Sequence, residues 1–105
     1  MMVNPHRGEA TINVAGTPLT MRLSLGALAS LEERLGVTGL VGIAERFEAG
    51  EHSADDLLAL LTAGLNGAGG DVTEAEVANM SFDGGAIAAS RAAAELLART
   101  FQGAP

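Results

Sequence analysis

The chain has 105 residues, enough for a single domain (residues 1–105) around one modest core. Thirteen acidic residues against six basic ones give a formal net charge of −7, which disfavours nucleic acid and anionic membranes as partners because both attract cationic surfaces. The sequence holds no cysteine, which excludes disulfides, thiolate zinc sites and cysteine nucleophiles.

The first predicted element is a β-hairpin over residues 9–23, preceded by a flexible arm over residues 1–8. Apolar and polar residues alternate over residues 9–14 and again over residues 19–23, and an Ala-Gly-Thr-Pro sequence between the two runs has the composition of a turn. Because an isolated hairpin is only marginally stable in water, its apolar side is expected to lie on the helix from Ser24 to Leu35.

The helical part is predicted to cover residues 24–101, and residues 102–105 are expected to fray. The first helix lies within residues 24–36, where Ser24 is suited to cap the N-terminus and Gly36 to end the helix in the left-handed conformation. Four leucines recur at a near-helical spacing and predict one apolar face that forms the inner wall of the fold. They are Leu25, Leu28, Leu31 and Leu35.

Capping residues mark the starts of the next three helices. The predicted N-caps are Thr38, Ser53 and Thr73. Asp56 and Glu76 each follow their cap by three residues, the spacing of a capping box. The last helix is predicted over residues 86–101. The predicted fold class is therefore α+β, mostly α, with an N-terminal β-hairpin followed by a bundle of four to five helices.

The residue types that carry catalysis or bind metals form no recognisable pattern. His6 and His52 are the only histidines, and neither has a second ligand at a metal-binding spacing. The acidic residues between 45 and 56 lack the EF-hand pattern, the glycines between 64 and 70 lack the Lys of a phosphate loop, and no serine lies in a G-x-S-x-G sequence. We predict no catalytic, cofactor-binding or metal-binding residue, and expect no enzyme activity and no cofactor.

The last helix is the segment for which a partner-binding role competes with a structural one. Its seven alanines keep side-chain bulk low, which allows another helix to approach closely. The candidate partner-binding residues are Ile87, Leu96, Leu97 and Phe101. The alternative is that the same face packs on the domain's own helices, and the sequence leaves both interpretations open.

Four sequence segments resemble a known family, the small tail assembly proteins of gene transfer agents and related siphophages. The segments are N-P-H-R-G-E (residues 4–9), L-S-L-G-A-L-A-S-L-E (residues 23–32), A-G-L-N-G-A-G (residues 63–69) and A-A-A-E-L-L-A-R-T-F (residues 92–101). Together they span most of the chain, and their order and spacing are more specific than any one of them. Members of this family are described as tail assembly chaperones and have also been labelled tail tube proteins.

The resemblance implies a non-catalytic chaperone that binds the tape measure protein and helps to recruit tail tube subunits. Homo-oligomers of this chain are a further candidate assembly. The expected binding groove for tape measure helices lies between the third and last helices. The alternative is a structural tail tube component, against which two short strands argue because a tube ring is expected to need a larger β-sandwich. Residues 1–11 lack the apolar segment of a signal peptide, so we expect the protein in the bacterial cytoplasm during particle assembly.

Overall fold

The computed structural model describes residues 8–103, which begin with a two-stranded antiparallel hairpin. Strand β1 is Ala10–Val14 and strand β2 is Thr17–Met21, with Ala10 opposite Met21 and Val14 opposite Thr17. The two residues between the strands, Ala15 and Gly16, both have positive φ angles, 49° and 81°. Such a turn has the twist that joins paired strands directly, and glycine adopts it without strain.

Within residues 8–103 five helices follow the hairpin, in agreement with the predicted four to five, and confirm the α+β, mostly α fold class. They are α1 (Leu25–Leu35), α2 (Gly39–Glu48), α3 (Ala54–Gly67), α4 (Glu74–Ala78) and α5 (Gly85–Gly103). Gln102 and Gly103, which were expected to fray, lie within the bounds of α5. Residues 1–7 of the predicted arm and residues 104–105 of the predicted tail lie outside the described residues.

Most of the predicted helix caps are present. The Ser24 side chain accepts a hydrogen bond from the backbone N–H of Ala27, and Gly36 ends α1 with φ 69°. Both capping boxes, at the starts of α3 and α4, have both of their reciprocal hydrogen bonds. The start of α2 differs from the prediction, because the Thr38 side chain makes no capping bond. The Glu32 carboxylate from α1 accepts the Gly39 N–H instead, at 2.7 Å.

Helix α3 lies at the centre of the fold and packs against β2, α1, α4 and α5. Its buried leucines contact one continuous apolar core to which every element contributes. The largest fully buried side chains are Met21, Leu31, Ile43, Leu60, Leu61, Val77 and Leu96. Each large aliphatic side chain buried in this way stabilises the fold by roughly 1.5–3 kcal/mol.

Leu25 does not belong to the buried face of α1 that the leucine spacing predicts. Leu31 and Leu35 are buried, whereas the Leu25 side chain is 86% exposed. Side chains three residues apart on an α-helix are separated by less than a full turn, and two such spacings separate Leu25 from Leu31. As a result Leu25 points roughly 90° away from the centre of the other three leucines.

The backbone that connects β2 to α1 lies directly on the C-terminal end of α3. The Arg22 N–H donates to the Gly64 carbonyl oxygen at 2.8 Å. A Cβ atom placed on Gly67 would lie 1.9 Å from the Arg22 carbonyl oxygen, far inside van der Waals contact. This close approach explains why a glycine occupies the last position of α3.

The loop between α4 and α5 fixes the tip of the hairpin. The backbone N–H of Ala15 donates to the Ser81 carbonyl, and that of Asp83 donates to the Asn13 carbonyl, both at 3.0 Å. The Asp83 carboxylate also accepts the Gly16 N–H at 3.0 Å. The hairpin is thus held at its tip by this loop, along β1 by α5 and along β2 by α3. It does not pack chiefly on α1, contrary to the prediction from the sequence.

Candidate interaction surface

Helix α5 has one buried face and one exposed face. The buried residues are Ala89, Ala92, Ala93, Leu96 and Leu97. Their small side chains bring α5 close to β1, α2 and α3, with Leu96 and Leu97 as the bulky contacts. The domain's own elements therefore cover one side of the last helix completely.

The opposite face of α5, called the outer face here, consists of Ile87, Arg91, Ala94, Ala98 and Phe101. All five residues are exposed. They follow one another at intervals of four, three, four and three residues, the spacing with which one helix contacts another along a seam. Ile87 is 70% exposed and Phe101 is 43% exposed, so the seam has a large apolar side chain at each end.

The four predicted partner-binding residues are divided between these two faces. Ile87 and Phe101 lie on the outer face, whereas Leu96 and Leu97 are 0% and 5% exposed in the core. The structure therefore does not bring the four together on one surface. The alternating spacing of four and three is the signal that would have placed Arg91 and Ala98, rather than the two leucines, beside Ile87 and Phe101.

A small cavity of about 170 Å³ opens beside the C-terminal half of the outer face, between α2 and α5. Its walls are mostly apolar, with one carboxylate at the edge. The lining residues are Ala44, Phe47 and Glu48 of α2 and Ala94, Leu97, Ala98 and Phe101 of α5. An apolar recess of this kind, next to exposed apolar side chains, is typical of a surface that receives a partner's side chain.

The charges around the outer face are unevenly paired. Arg99 contacts Glu95 and also donates to the Glu9 carbonyl oxygen at 3.0 Å. Arg91 has no hydrogen bond or ion pair with any of residues 8–103. Within residues 8–103 the outer face thus presents one guanidinium without a partner and, one turn further along, the Glu95 carboxylate at its edge.

The wall of the cavity that α2 provides is fixed by an ion pair. Arg46 donates from Nε to Oδ2 of Asp56 at 3.2 Å, and from Nη1 to the Leu35 carbonyl oxygen at 2.7 Å. Burial on its own would raise the pKa of the Asp56 carboxyl, but the Ser53 N–H, the Arg46 charge and further hydrogen bonds from Arg46 and Ser53 together lower it. Asp56 is therefore a carboxylate at neutral pH, and it joins α2 to the start of α3.

A second, wider groove of about 350 Å³ lies between α1, α3 and α4. The exposed Arg34–Glu74 ion pair lies at its edge, with 2.9 Å between Nη1 and Oε2. The Thr62 hydroxyl oxygen beneath it is buried and has no hydrogen-bond partner among the described residues. Of the α3 leucines expected to form a groove with the last helix, Leu60, Leu61 and Leu65 are buried in the core, whereas Leu57 and Leu58 are partly buried.

The described residues hold no arrangement suited to metal binding. No three His, Asp or Glu side chains among residues 8–103 gather closely enough to hold a metal ion. His52 stacks on Phe47 with 4.5 Å between the ring centroids, and His6 lies outside the described residues. None of the helices within residues 8–103 has both the length and the apolar character that crossing a membrane requires.

Comparison with protein-family models gives one match over nearly the whole chain. The model described as "phage tail tube protein, GTA-gp10" matches residues 7–103. Comparisons with curated proteins and with solved structures gave no match. The matched range includes the hairpin, all five helices and the outer face of α5. The chain therefore belongs to the phage tail tube protein family described as GTA-gp10.

Proposed function

We propose that this protein is a non-enzymatic structural component of the tail of a phage-like particle such as a gene transfer agent. The single observation that carries the proposal is the family match over residues 7–103, because the family is described as a tail tube protein. The fold agrees with this role in one respect: Ile87 and Phe101, two of the four exposed large apolar side chains among residues 8–103, lie on one helix face suited to protein contacts.

The way in which such subunits would contact one another follows from the small sheet. Within residues 8–103 the sheet has two strands, which are too few to build a tube wall from β-sandwiches. Contacts between subunits, or with other tail proteins, would therefore be made largely by helix faces. The outer face of α5 and the groove between α1, α3 and α4 are two surfaces suited to this purpose.

A second candidate is an assembly chaperone that binds the tape measure protein and recruits tail tube subunits in the bacterial cytoplasm. The observation in its favour is the mostly helical fold with an exposed seam at coiled-coil spacing, which suits a long helical partner. The family description favours the structural role, so the chaperone is the second of the two.

Quantitative mass spectrometry of purified particles separates these functions. A structural component is expected in the particle at a fixed ratio of several copies to each tape measure chain. A chaperone is expected in the host lysate, bound to the tape measure protein, and is lost from finished particles. A chain that is absent from particles and also fails to co-purify with any tail protein would contradict both proposals.

A further inference from the structure

We propose that the outer face of α5 is the site at which two copies of this chain pair, with their α5 helices antiparallel. The two-fold axis crosses the helices near the level of residue 93. Three features of the described structure carry this inference: the composition of the seam, the position of one unpartnered charge and the position of the cavity. It concerns the free chain and goes beyond the proposed function without resting on it.

The seam has the composition that a close helix pair needs. Ala94 and Ala98 occupy its middle and allow two helix axes to approach to about 8–10 Å. Ile87 and Phe101 stand at its two ends, 70% and 43% exposed, and their burial would supply the apolar contact. A two-fold axis near residue 93 brings the Ile87 end of each copy against the Phe101 end of the other.

The same axis pairs the charges. A two-fold rotation about an axis at the level of residue 93 places each Arg91 beside Glu95 of the second copy. This follows because Arg91 lies two positions before that level and Glu95 lies two positions after it. Arg91 has no partner among residues 8–103, so the contact replaces no existing interaction of its guanidinium. The Glu95 carboxylate contacts Arg99 in its own chain and has a second oxygen for Arg91.

The cavity lies where the second copy presents an apolar side chain. With the axis near residue 93, each Ile87 faces the level of residue 99 in the other copy, between Ala98 and Phe101. Both of those residues line the cavity between α2 and α5, whose volume is about 170 Å³. An apolar cavity of about 150 Å³ is large enough for a benzene molecule, so this one accommodates an isoleucine side chain.

Antiparallel pairing is the arrangement that uses all three features at once. Parallel pairing would set each residue of the outer face opposite itself, so Ile87 would face Ile87 and the two Arg91 guanidinium groups would repel each other. A single pair of helices buries less surface than a standard interface, so the association is expected to be weak, with a dissociation constant in the range of about 10 μM to 1 mM.

Sedimentation velocity of the full chain, from about 10 μM to about 1 mM, tests the pairing. Ile87→Asp is expected to raise the dissociation constant at least about tenfold, because it removes the side chain that fills the cavity. Leu25→Asp is the matched control: Leu25 is also a highly exposed apolar residue, 86%, but it lies on α1. A chain that stays monomeric up to about 1 mM would overturn the proposal and leave the outer face for a different protein.

Charge reversal tests the predicted register. Arg91→Glu alone and Glu95→Arg alone are each expected to weaken pairing by about tenfold, and the double variant to restore it to within about threefold of the original chain. A double variant that pairs no better than either single variant would contradict the contact between Arg91 and Glu95.

Cross-linking tests the antiparallel orientation, since the chain has no cysteine of its own. Ala94→Cys, next to the two-fold axis, is expected to form a disulfide-linked dimer under mild oxidation. Ile87→Cys is not, because the two Ile87 positions would lie about 18 Å apart along the helix pair. Efficient cross-linking at position 87, or equal cross-linking of Leu25→Cys, would rule out the proposed arrangement.

Discussion

The side chains of Arg46 and Asp56 join three helices at one point. Nε of Arg46 lies 3.2 Å from Oδ2 of Asp56, and the same oxygen accepts the Ser53 N–H at 3.0 Å. The other end of the Arg46 guanidinium donates to the Leu35 carbonyl oxygen at the C-terminus of α1. Because the Asp56 side chain is only 12% exposed, this ion pair is screened less than a surface pair and stabilises the fold more.

Asp56→Asn is expected to lower the free energy of unfolding by about 1–2 kcal/mol near pH 7. The folded state holds the pKa of Asp56 below its ordinary value of 3.8, so the carboxylate adds stability above that value. This contribution is lost as the pH falls through the folded pKa, and the variant and the original chain should then become similar. Urea unfolding near pH 7 and over a series of acidic pH values, down through the folded pKa of Asp56, measures both differences.

The control for this prediction is Asp55→Asn, because Asp55 is an exposed carboxylate in the same first turn of α3. Its interaction with the helix dipole is worth about 0.3–1 kcal/mol, so the effect of the control should be the smaller one. A loss of stability in Asp56→Asn that stays constant over the whole pH range would show that packing, rather than charge, explains its effect.

Gly67→Ala is expected to destabilise the protein by about 3 kcal/mol. The new Cβ would lie 1.9 Å from the Arg22 carbonyl oxygen, and this oxygen belongs to backbone that is itself hydrogen-bonded to α3. Gly26→Ala is the matched control in α1, since the atom nearest to its Cβ is the Ser24 Oγ at 4.0 Å. It should stabilise the protein by up to about 1 kcal/mol, because alanine favours a helix more than glycine does.

Thermal unfolding of the two glycine variants separates the close approach from the general effect of adding a methyl group. The prediction requires a lower melting temperature for Gly67→Ala and an equal or higher one for Gly26→Ala. Two variants that both melt near the original temperature would mean that the connection between β2 and α1 moves away from α3 at little cost.

The hairpin turn contains the only non-glycine residue between positions 8 and 103 with a positive φ angle, Ala15 at 49°. Asparagine tolerates this conformation better than alanine, and Asn-Gly is the preferred sequence of a two-residue turn of this type. Ala15→Asn should therefore raise the free energy of unfolding by about 0.5–1 kcal/mol, whereas Ala15→Val should lower it by about 1 kcal/mol. Denaturant unfolding of both variants tests whether their changes in the free energy of unfolding have opposite signs. Equal changes would contradict the turn geometry.

The sequence predicts those features that depend on neighbouring residues and misses those that depend on distant ones. The capping box of Ser53 and Asp56 is local, and it is present as predicted. The cap of α2 comes from Glu32, seven residues earlier, which no capping pattern includes. Asp56 is recognisable as a capping residue, but its ion pair with Arg46 depends on how α2 packs against α3.

Prediction of the candidate surface on α5 is limited in the same way, because distant contacts decide which of its residues are exposed. Both faces of α5 carry apolar residues, so hydrophobicity alone does not distinguish the core leucines from Ile87 and Phe101. Leu97 and Ala98 are adjacent in sequence, yet Leu97 is buried and Ala98 is exposed. Which face of α5 is buried depends on which face packs against β1 and α3. The contact between α5 and β1 joins the last and the first elements of the chain, so neighbouring residues do not reveal it.

Leu97→Ala and Ile87→Ala should therefore differ sharply in stability, although both remove an aliphatic side chain from α5. Leu97 is 5% exposed, and its truncation leaves a cavity in the core, which is expected to lower the free energy of unfolding by about 2–5 kcal/mol. Ile87 is 70% exposed, and its truncation should change that free energy by no more than about 0.5 kcal/mol. Chemical unfolding of dilute samples, in which the chain is monomeric, gives the comparison.

This difference decides which variants can test binding. A charged residue at position 97 would disrupt the core, so loss of a partner in such a variant would report unfolding rather than a lost contact. Because Ile87 is 70% exposed, substitutions at position 87 are expected to leave the fold intact and to change only the outer face. If Ile87→Ala were as destabilising as Leu97→Ala, Ile87 would belong to the core, and the outer face of α5 would no longer be a candidate for any interface.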